Sequence, residues 1–460
     1  MRIVNLFKST ALYLDTTVTV SGWVQTVRAQ KETTFVKIND GSHPGGLQLI
    51  YDGKEKLGLG TSVTVVGKLI VSQGAGQAFE LLVSDIRVLG ACDPEKYPLA
   101  KGKMTLEYLR SWPHLRNRTS TMGSVMRIVS EISHATSLFF KAEGFLHLNP
   151  NIITTNECEG GAGVFQLTER DISKPLELPR VRDVSGVLLG DYDWSRDHFQ
   201  KPVFLTVSSQ LQLEGLACAL GPCYTTNKSF RAEHSCTNKH ASEFPHLEIE
   251  VPFVENSDLM DIGEAYIKFV LTHLLGERGD DIDNLGAYSS KGLRERLTTL
   301  IGCKFHRITY TDAIGLAMAG GKSIVFGDDL SSDVENFLTE SLGGPVFVYN
   351  WPIKIKSFYM KRDAVDSGLC NNFDLLMPYK VGELIGGSMR EDNYDALIEM
   401  MKVKGVPVES LKFYTELREF GSVPHGGFGL GGSRLAMLCT GMENIRDVEP
   451  VPVTYKSCPF

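Results

Sequence analysis

The sequence has no C-x-x-C pair: its nine cysteines are scattered, and the nearest couple is Cys218 and Cys223. That argues against a zinc knuckle or a disulfide framework and for a reducing compartment, with the cytoplasm as the expected location. No apolar run reaches the length of a membrane span, and Met1 to Leu14, a strand-like apolar mix, has neither the apolar core nor the cleavage site of a secretory signal. An organellar presequence is not expected either, because a strand pattern begins within the first twenty residues. There is no surplus of positive charge; 47 Lys and Arg stand against 55 Asp and Glu, a net charge of -8. The chain is therefore no general nucleic-acid binder, and any such contact must be local. A P-loop, an internal repeat and a low-complexity tract are also missing.

With 460 residues, the chain is long enough for two or more domains with cores of their own. Residues 16–90 alternate apolar and polar through Val18-Thr19-Val20-Ser21-Gly22-Trp23-Val24, Phe35-Val36-Lys37-Ile38, Leu47-Gln48-Leu49-Ile50 and Ser62-Val63-Thr64-Val65-Val66, broken at Asp40-Gly41, Gly45-Gly46 and Asp52-Gly53. Short strands of this kind predict a small five-stranded OB-fold β-barrel, whose open face commonly binds single-stranded nucleic acid. On that face Phe35 can stack on a base, Arg28 can meet phosphate and Gln48 can read a base edge, although a strand Phe is often core. A hinge follows around Pro98, with Lys101, Lys103, Arg110, Arg116, Arg118 and Arg127 against the single acid Glu107; a local nucleic-acid contact and a hydrated connector explain that cluster equally well. Apolar spacing predicts a helix over Val125–Glu143, with Val125, Ile128, Ile132, Ala135, Leu138 and Phe139 on one face. A strand-like segment holds Pro150 and Ile152-Ile153, and further helices are predicted over Leu259–Leu275 and Tyr394–Met401. With no regular βαβ repeat, the remainder reads as α+β on a largely antiparallel sheet. The expected division is a barrel domain over 1–98, a basic hinge over 99–120 and a larger domain over 121–460.

Three segments of the larger part combine acid, arginine and glycine. The first is Phe230-Arg231-Ala232-Glu233 with His240, Glu243, Phe244, Glu248 and Glu250, preceded by Gln210-Leu211-Gln212-Leu213-Glu214. Here Arg231 can hold a phosphate with its planar fork of donors, Glu233 can face a metal or a ribose, and Phe244 can stack on a base. Alone, it reads more readily as an amphipathic hairpin with a solvated charged face. The second segment runs from Asp374 through Gly382-Glu383-Leu384-Ile385-Gly386-Gly387-Ser388-Met389-Arg390. The third is His425-Gly426-Gly427-Phe428-Gly429-Leu430-Gly431-Gly432-Ser433-Arg434-Leu435. No strand–helix–strand unit surrounds it, which rules out a dinucleotide fingerprint.

In this order, behind an OB-like module, the three segments resemble the class II aminoacyl-tRNA synthetases, specifically their asparaginyl/aspartyl branch, over nearly the whole chain. Phe230-Arg231-Ala232-Glu233 resembles motif 2, and Gly429 through Arg434 resembles motif 3. The resemblance implies a class II catalytic domain on an antiparallel sheet flanked by helices. It also implies ATP and magnesium as cofactors, tRNA(Asn) and asparagine as partners, and a homodimer away from membranes. By the same token Arg231 would hold the α-phosphate of ATP, and Arg434 would lie over the triphosphate. Glu383 and Glu233 would serve the ATP–magnesium site, His240 the γ-phosphate, and Phe244 the adenine ring with Glu243 beside it. Glu159 would take the α-ammonium, Gln210 would close over it, and Arg390 would bind the side-chain oxygen. Arg28, Phe35 and Gln48 fall where the family reads the middle anticodon base.

Asparagine is favoured over aspartate at two positions. Leu213 stands where aspartyl enzymes carry lysine, and Glu248 where they carry Asp; a carboxylate there accepts from an amide and repels a second carboxylate. The chain departs from the family pattern at Asn151 in motif 1, Lys239 before the motif 2 histidine, Ser433 in place of the motif 3 acid, Met389 in place of a glutamine, the Gly161-Ala162-Gly163 run, and Pro450–Thr454, which lacks an arginine. The expected activity is ATP-dependent charging of tRNA(Asn) with asparagine. Two alternatives stay open: a paralogue that binds tRNA or adenylate without efficient charging, and an aspartate-accepting or dual-specific enzyme.

Overall fold

The computed structural model describes the whole chain except residues 31–32, 53–56, 75, 100–103, 157 and 159–162. Its N-terminal part is a closed barrel of Thr17–Gln30, Thr33–Asn39, Leu47–Tyr51, Ser62–Val71 and Phe79–Gly90, in the order first, second, third, fifth, fourth. Period-two alternation turns Val18, Val20, Val36, Ile38, Val63 and Val65 inward, where all are buried, so the pattern that announced the strands also fills the barrel. Met1 to Leu14 is helical, contrary to the strand-like expectation: Ile3–Lys8 and Thr10–Tyr13 precede the barrel. Ile3 and Leu6, one helical turn apart, both bury into the barrel core, and that spacing outweighs the local strand character.

The larger part is built on a nine-stranded sheet. Its path runs His306–Thr309, Val346–Tyr349, Asn372–Met377, Gly382–Met389, His425–Gly431, Glu243–Pro252, Cys223–Thr225, Leu146–His147, with Lys228–Phe230 paired off the path to Glu243–Pro252. Only the first and last neighbours of that path are parallel. The sheet is thus largely antiparallel, as the missing βαβ repeat implied. The Val125–Glu143 prediction is realised as Ser120–Ala142, capped by the Thr119 hydroxyl. Leu138 leaves the expected apolar face and is 40% exposed, while Phe140 is buried against Tyr224 and Tyr266. The other two predicted helices span Asn256–Glu277 and Tyr394–Val403. Around Pro150 the chain makes only a two-residue strand, Ile153–Thr154.

The described arginines of the basic stretch are engaged with the rest of the chain. Arg110 grips Asp447 with Nε at 2.8 Å and Nη2 at 2.6 Å, and Arg127 pairs with Asp281 at 2.7 Å and donates to the Gly41 carbonyl. Arg118 lies over the Trp23 ring, and its carbonyl accepts from Gln25 of the barrel. Arg116 is fully buried and donates to the Glu449 carbonyl. These four arginines join the barrel, the hinge, Asp281 and residues 447–449; Lys101 and Lys103 lie outside the described residues.

Candidate functional site

Strand pleating assembles the first wall. In Glu243–Pro252 the residues His246, Glu248 and Glu250 share one face, opposite Gly431, Gly429 and Gly427 of the neighbouring strand. A Cβ at Gly427 would come within 2.0 Å of the Ile249 carbonyl oxygen and 2.6 Å of the Glu250 carboxylate, and one at Gly429 within 2.6 Å of His246. The glycines of the third segment therefore clear room for acidic and imidazole side chains of the next strand.

The cavity in front of this wall measures about 290 Å³ and is lined, among others, by Arg231, Glu248, Glu250, Lys356, Glu383 and Arg390. At one end Arg390 is buried against Glu250, to which Nε and Nη2 both donate, while Nη1 reaches the Ser388 hydroxyl at 2.6 Å. Burial works against the Arg390 charge, but Glu250 and Glu214 outweigh it and raise its pKa. Burial, helped by Glu214, raises the Glu250 pKa against the pull of Arg390. Glu248 lies apart from that pair. Its oxygens accept from the Ser208 hydroxyl and from the Ser209 backbone N–H at 2.9 and 3.1 Å, at the head of the Gln210–Leu220 helix.

Gln210 opens that helix and donates to Glu214 at 3.0 Å. Glu214 also accepts from Tyr414 at 3.0 Å and Arg418 at 2.8 Å, with His425 at 3.1 Å, all buried. Burial alone would raise the Glu214 pKa, yet Arg418, His425 and Arg390 hold it far below the usual range. Neither this cluster nor Lys356, whose ammonium meets Asp374 at 2.6 Å and sits over the Trp351 ring, was assigned a role from sequence. The available signals were slight: Glu214 follows Gln210, and Arg418 follows Tyr414, by one helical turn.

At the other end the Arg231 guanidinium lies 5.6 Å from the Phe244 ring centre. Beyond it, in the loop between Lys228–Phe230 and Glu243–Pro252, His240 lies 3.9 Å from Glu233 and bonds through Nδ1 to the Thr237 and Ser235 hydroxyls. Burial lowers the His240 pKa, with Arg434, Arg231 and Lys239 adding to it against Glu233. Glu243 is engaged by Lys228. Arg434 donates to the Glu383 carbonyl and lies 3.9 Å from its carboxylate. Glu383 and Asp374 converge over Gly386, where a Cβ would lie 3.3 and 3.5 Å from their oxygens. Glu159 falls outside the described residues.

Arg28, Phe35 and Gln48 lie on neighbouring barrel strands. Arg28 pairs in register with Phe35, and Lys37, two residues on, with Gln48, so the three share the outer face while Val36 points inward. The Gln48 amide donates to the buried Glu80 carboxylate at 2.7 Å, which turns its carbonyl oxygen away from Glu80.

Two family profiles match the chain: tRNA synthetases class II (D, K and N) over residues 105–455, and an OB-fold nucleic acid binding domain over residues 18–89. The asparagine–tRNA ligase of Protochlamydia amoebophila is 41% identical, covering 95% of this chain and 94% of its own. That of Cytophaga hutchinsonii is 38% identical, covering 100% and 99%. Among solved structures, the asparaginyl-tRNA synthetase of Pyrococcus horikoshii complexed with asparaginyl-adenylate superposes with a TM-score of 0.84 at 30% identity, covering 96% of each chain.

Proposed function

The chain belongs to the class II tRNA synthetases of the aspartate, lysine and asparagine group, and from that premise we propose that it is an asparagine–tRNA ligase. It activates asparagine with ATP and transfers the asparaginyl group to tRNA(Asn). The observation that carries this reading is a single cavity with Arg231 at one end and Arg390 at the other, walled by Glu248 and Glu250. Arg390 meets the side-chain oxygen of asparagine. Glu248, in the lining of the same cavity, suits an amide that donates and disfavours a second anion in a buried site. Glu159 takes the α-ammonium, and Gln210, braced by Glu214, closes the pocket.

In the first step a carboxylate oxygen of asparagine attacks the α-phosphorus and pyrophosphate leaves. Arg231 neutralises charge on the α-phosphate, with Phe244 under the adenine and Glu243 at its edge, so catalysis here is positioning and electrostatics. His240 faces the γ-phosphate and Arg434 lies along the triphosphate. In the second step a terminal ribose hydroxyl of the tRNA attacks the carbonyl and AMP leaves.

The donor set fits magnesium. No cluster of three metal-binding side chains exists among the described residues, and Glu383 is half-exposed beside Asp374. Magnesium is commonly held by one or two carboxylates, with phosphates and waters completing its shell. Glu383 and Glu233 would hold it, and when bound it supplies charge neutralisation on the phosphates.

The barrel, 1–98, reads the anticodon through Arg28, Phe35 and Gln48; the hinge, 99–120, connects it to the catalytic domain, 121–460. The enzyme works as a homodimer in the cytoplasm. The exposed Ile152 and Ile153 of motif 1 are apolar surface for a second copy, nine scattered cysteines with no C-x-x-C pair fit a reducing compartment, and no described helix is long and apolar enough to cross a membrane. The test is exchange of labelled pyrophosphate into ATP, with asparagine and aspartate in parallel, followed by charging of total tRNA. Exchange and charging with asparagine are expected; exchange with aspartate alone, or with neither, would sink the proposal.

A further inference from the structure

Ser433, one of the chain's departures from the synthetase pattern, contacts the residue just before another, the stretch 450–454. The helix that carries Arg434 spans Gly432–Thr440, and Ser433 stands in its first turn where the pattern has an acid. Ser433 is buried, and its hydroxyl donates to the carboxylate of Glu449, which is buried as well. Glu449 precedes Pro450–Thr454, the stretch that lacks the usual arginine.

The segment carrying Glu449 is held from outside the active site. Arg110 grips Asp447 with two hydrogen bonds, and Arg116 donates to the Glu449 carbonyl. Nε and Nη1 of Arg116 are buried with no hydrogen-bond partner among the described residues, so its charge acts on Asp447 and Glu449 through space. Lys228 and Glu243 also act on Glu449. A carboxylate in the first turn of a helix is favoured by the helix dipole, and here it also receives the Ser433 hydroxyl. The next residue, Arg434, reaches Glu383.

We infer that Glu449 supplies, from the C-terminal segment, the carboxylate that position 433 lacks, and that it is a positioning residue for Arg434. This rests on the reading of Arg434 as a triphosphate contact. Loss of the acid before Arg434 is thereby offset from sixteen residues further on.

The experiment compares Ser433→Glu, Glu449→Gln and the double variant, measuring pyrophosphate exchange with separate KM values for ATP and asparagine, and thermal unfolding. Ser433→Glu alone crowds two carboxylates into one dry space and is expected to cost at least ~tenfold in kcat/KM for ATP. Glu449→Gln alone is expected to raise KM for ATP several-fold and leave KM for asparagine unchanged. The double variant is expected to return to within about threefold of the wild type, because one carboxylate again faces one neutral partner. Additive losses, or a Ser433→Glu variant as active beside Glu449 as beside E449Q, would overturn the inference. Arg434→Ala separates the two claims. If it leaves KM for ATP unchanged, the reading of Arg434 fails and the inference with it; if it raises that KM while the double variant stays impaired, the inference alone fails.

Discussion

The pair Arg390–Glu250 shows how tightly that end of the cavity is built. Both side chains are buried and bonded to one another, so truncating either strands the other's charge. Arg390→Met is expected to lower stability by about 3–5 kcal/mol, as for other broken buried pairs, and to abolish asparagine-dependent exchange. Chemical denaturation together with the exchange assay checks both. Glu449 gives a prediction in pH. Burial raises its pKa above the usual 4.5, so the folded protein holds this proton more tightly than the unfolded chain does. Stability from this group is therefore greatest below pH 4.5 and is lost as pH rises through the raised folded value. Glu449→Gln is expected to melt higher than the wild type at pH 8, with the difference shrinking toward pH 5. A variant that is more stable yet weaker for ATP would separate positioning from simple folding support.

At the scale of elements, the glycine-rich strand His425–Gly431 is needed for packing. Gly427→Ala would drive a methyl group into the Ile249 carbonyl and the Glu250 carboxylate, and overpacking of this kind costs about 1–3 kcal/mol. A lower melting temperature and weaker asparagine binding are expected; a variant with unchanged melting and KM would show that the two strands can part without disturbing Glu250. The sequence made such strands legible where one face is buried and the other is not, as in Thr17–Gln30, because the alternation is then forced. It misled at Met1 to Leu14, where two short helices carry too few residues for helical periodicity to stand out. In the candidate site, Arg231, Glu383, Arg390 and Arg434 could be singled out because each sits in a compact run of chemically distinctive residues. Arg418 and Glu214 were not, since their contact joins helices 204 residues apart and neither residue stands in such a run with its partner. Lys356 was hidden for the same reason: it follows the short helix Ile353–Ile355, and its partner Asp374 lies on a strand 18 residues further on.

For the whole molecule, the separation of barrel from catalytic sheet makes the two half-reactions separable. Phe35→Ala is expected to raise KM for tRNA(Asn) about tenfold or more, since a base stacked on an aromatic contributes about 1–3 kcal/mol, and to leave asparagine-dependent exchange untouched. Steady-state charging beside exchange is the check, and an equal loss in both would mean that the barrel supports the catalytic fold instead. For the proposed dimer, Ile153→Asp is expected to leave only monomer in sedimentation velocity, because it places a charge on exposed apolar surface. The arginine clamps of the hinge bear on synthesis as well. Arg110 is made early, and the Asp447 it grips comes 337 residues later. Chains emerge from the ribosome N-terminus first and fold domain by domain, so the barrel can close while the ribosome is still translating the catalytic part. Arg110 and Arg116 must wait until Asp447 and Glu449 have been made, which sets a checkpoint in synthesis: a nascent fragment ending before Asp447 can hold a finished barrel but not a sealed hinge.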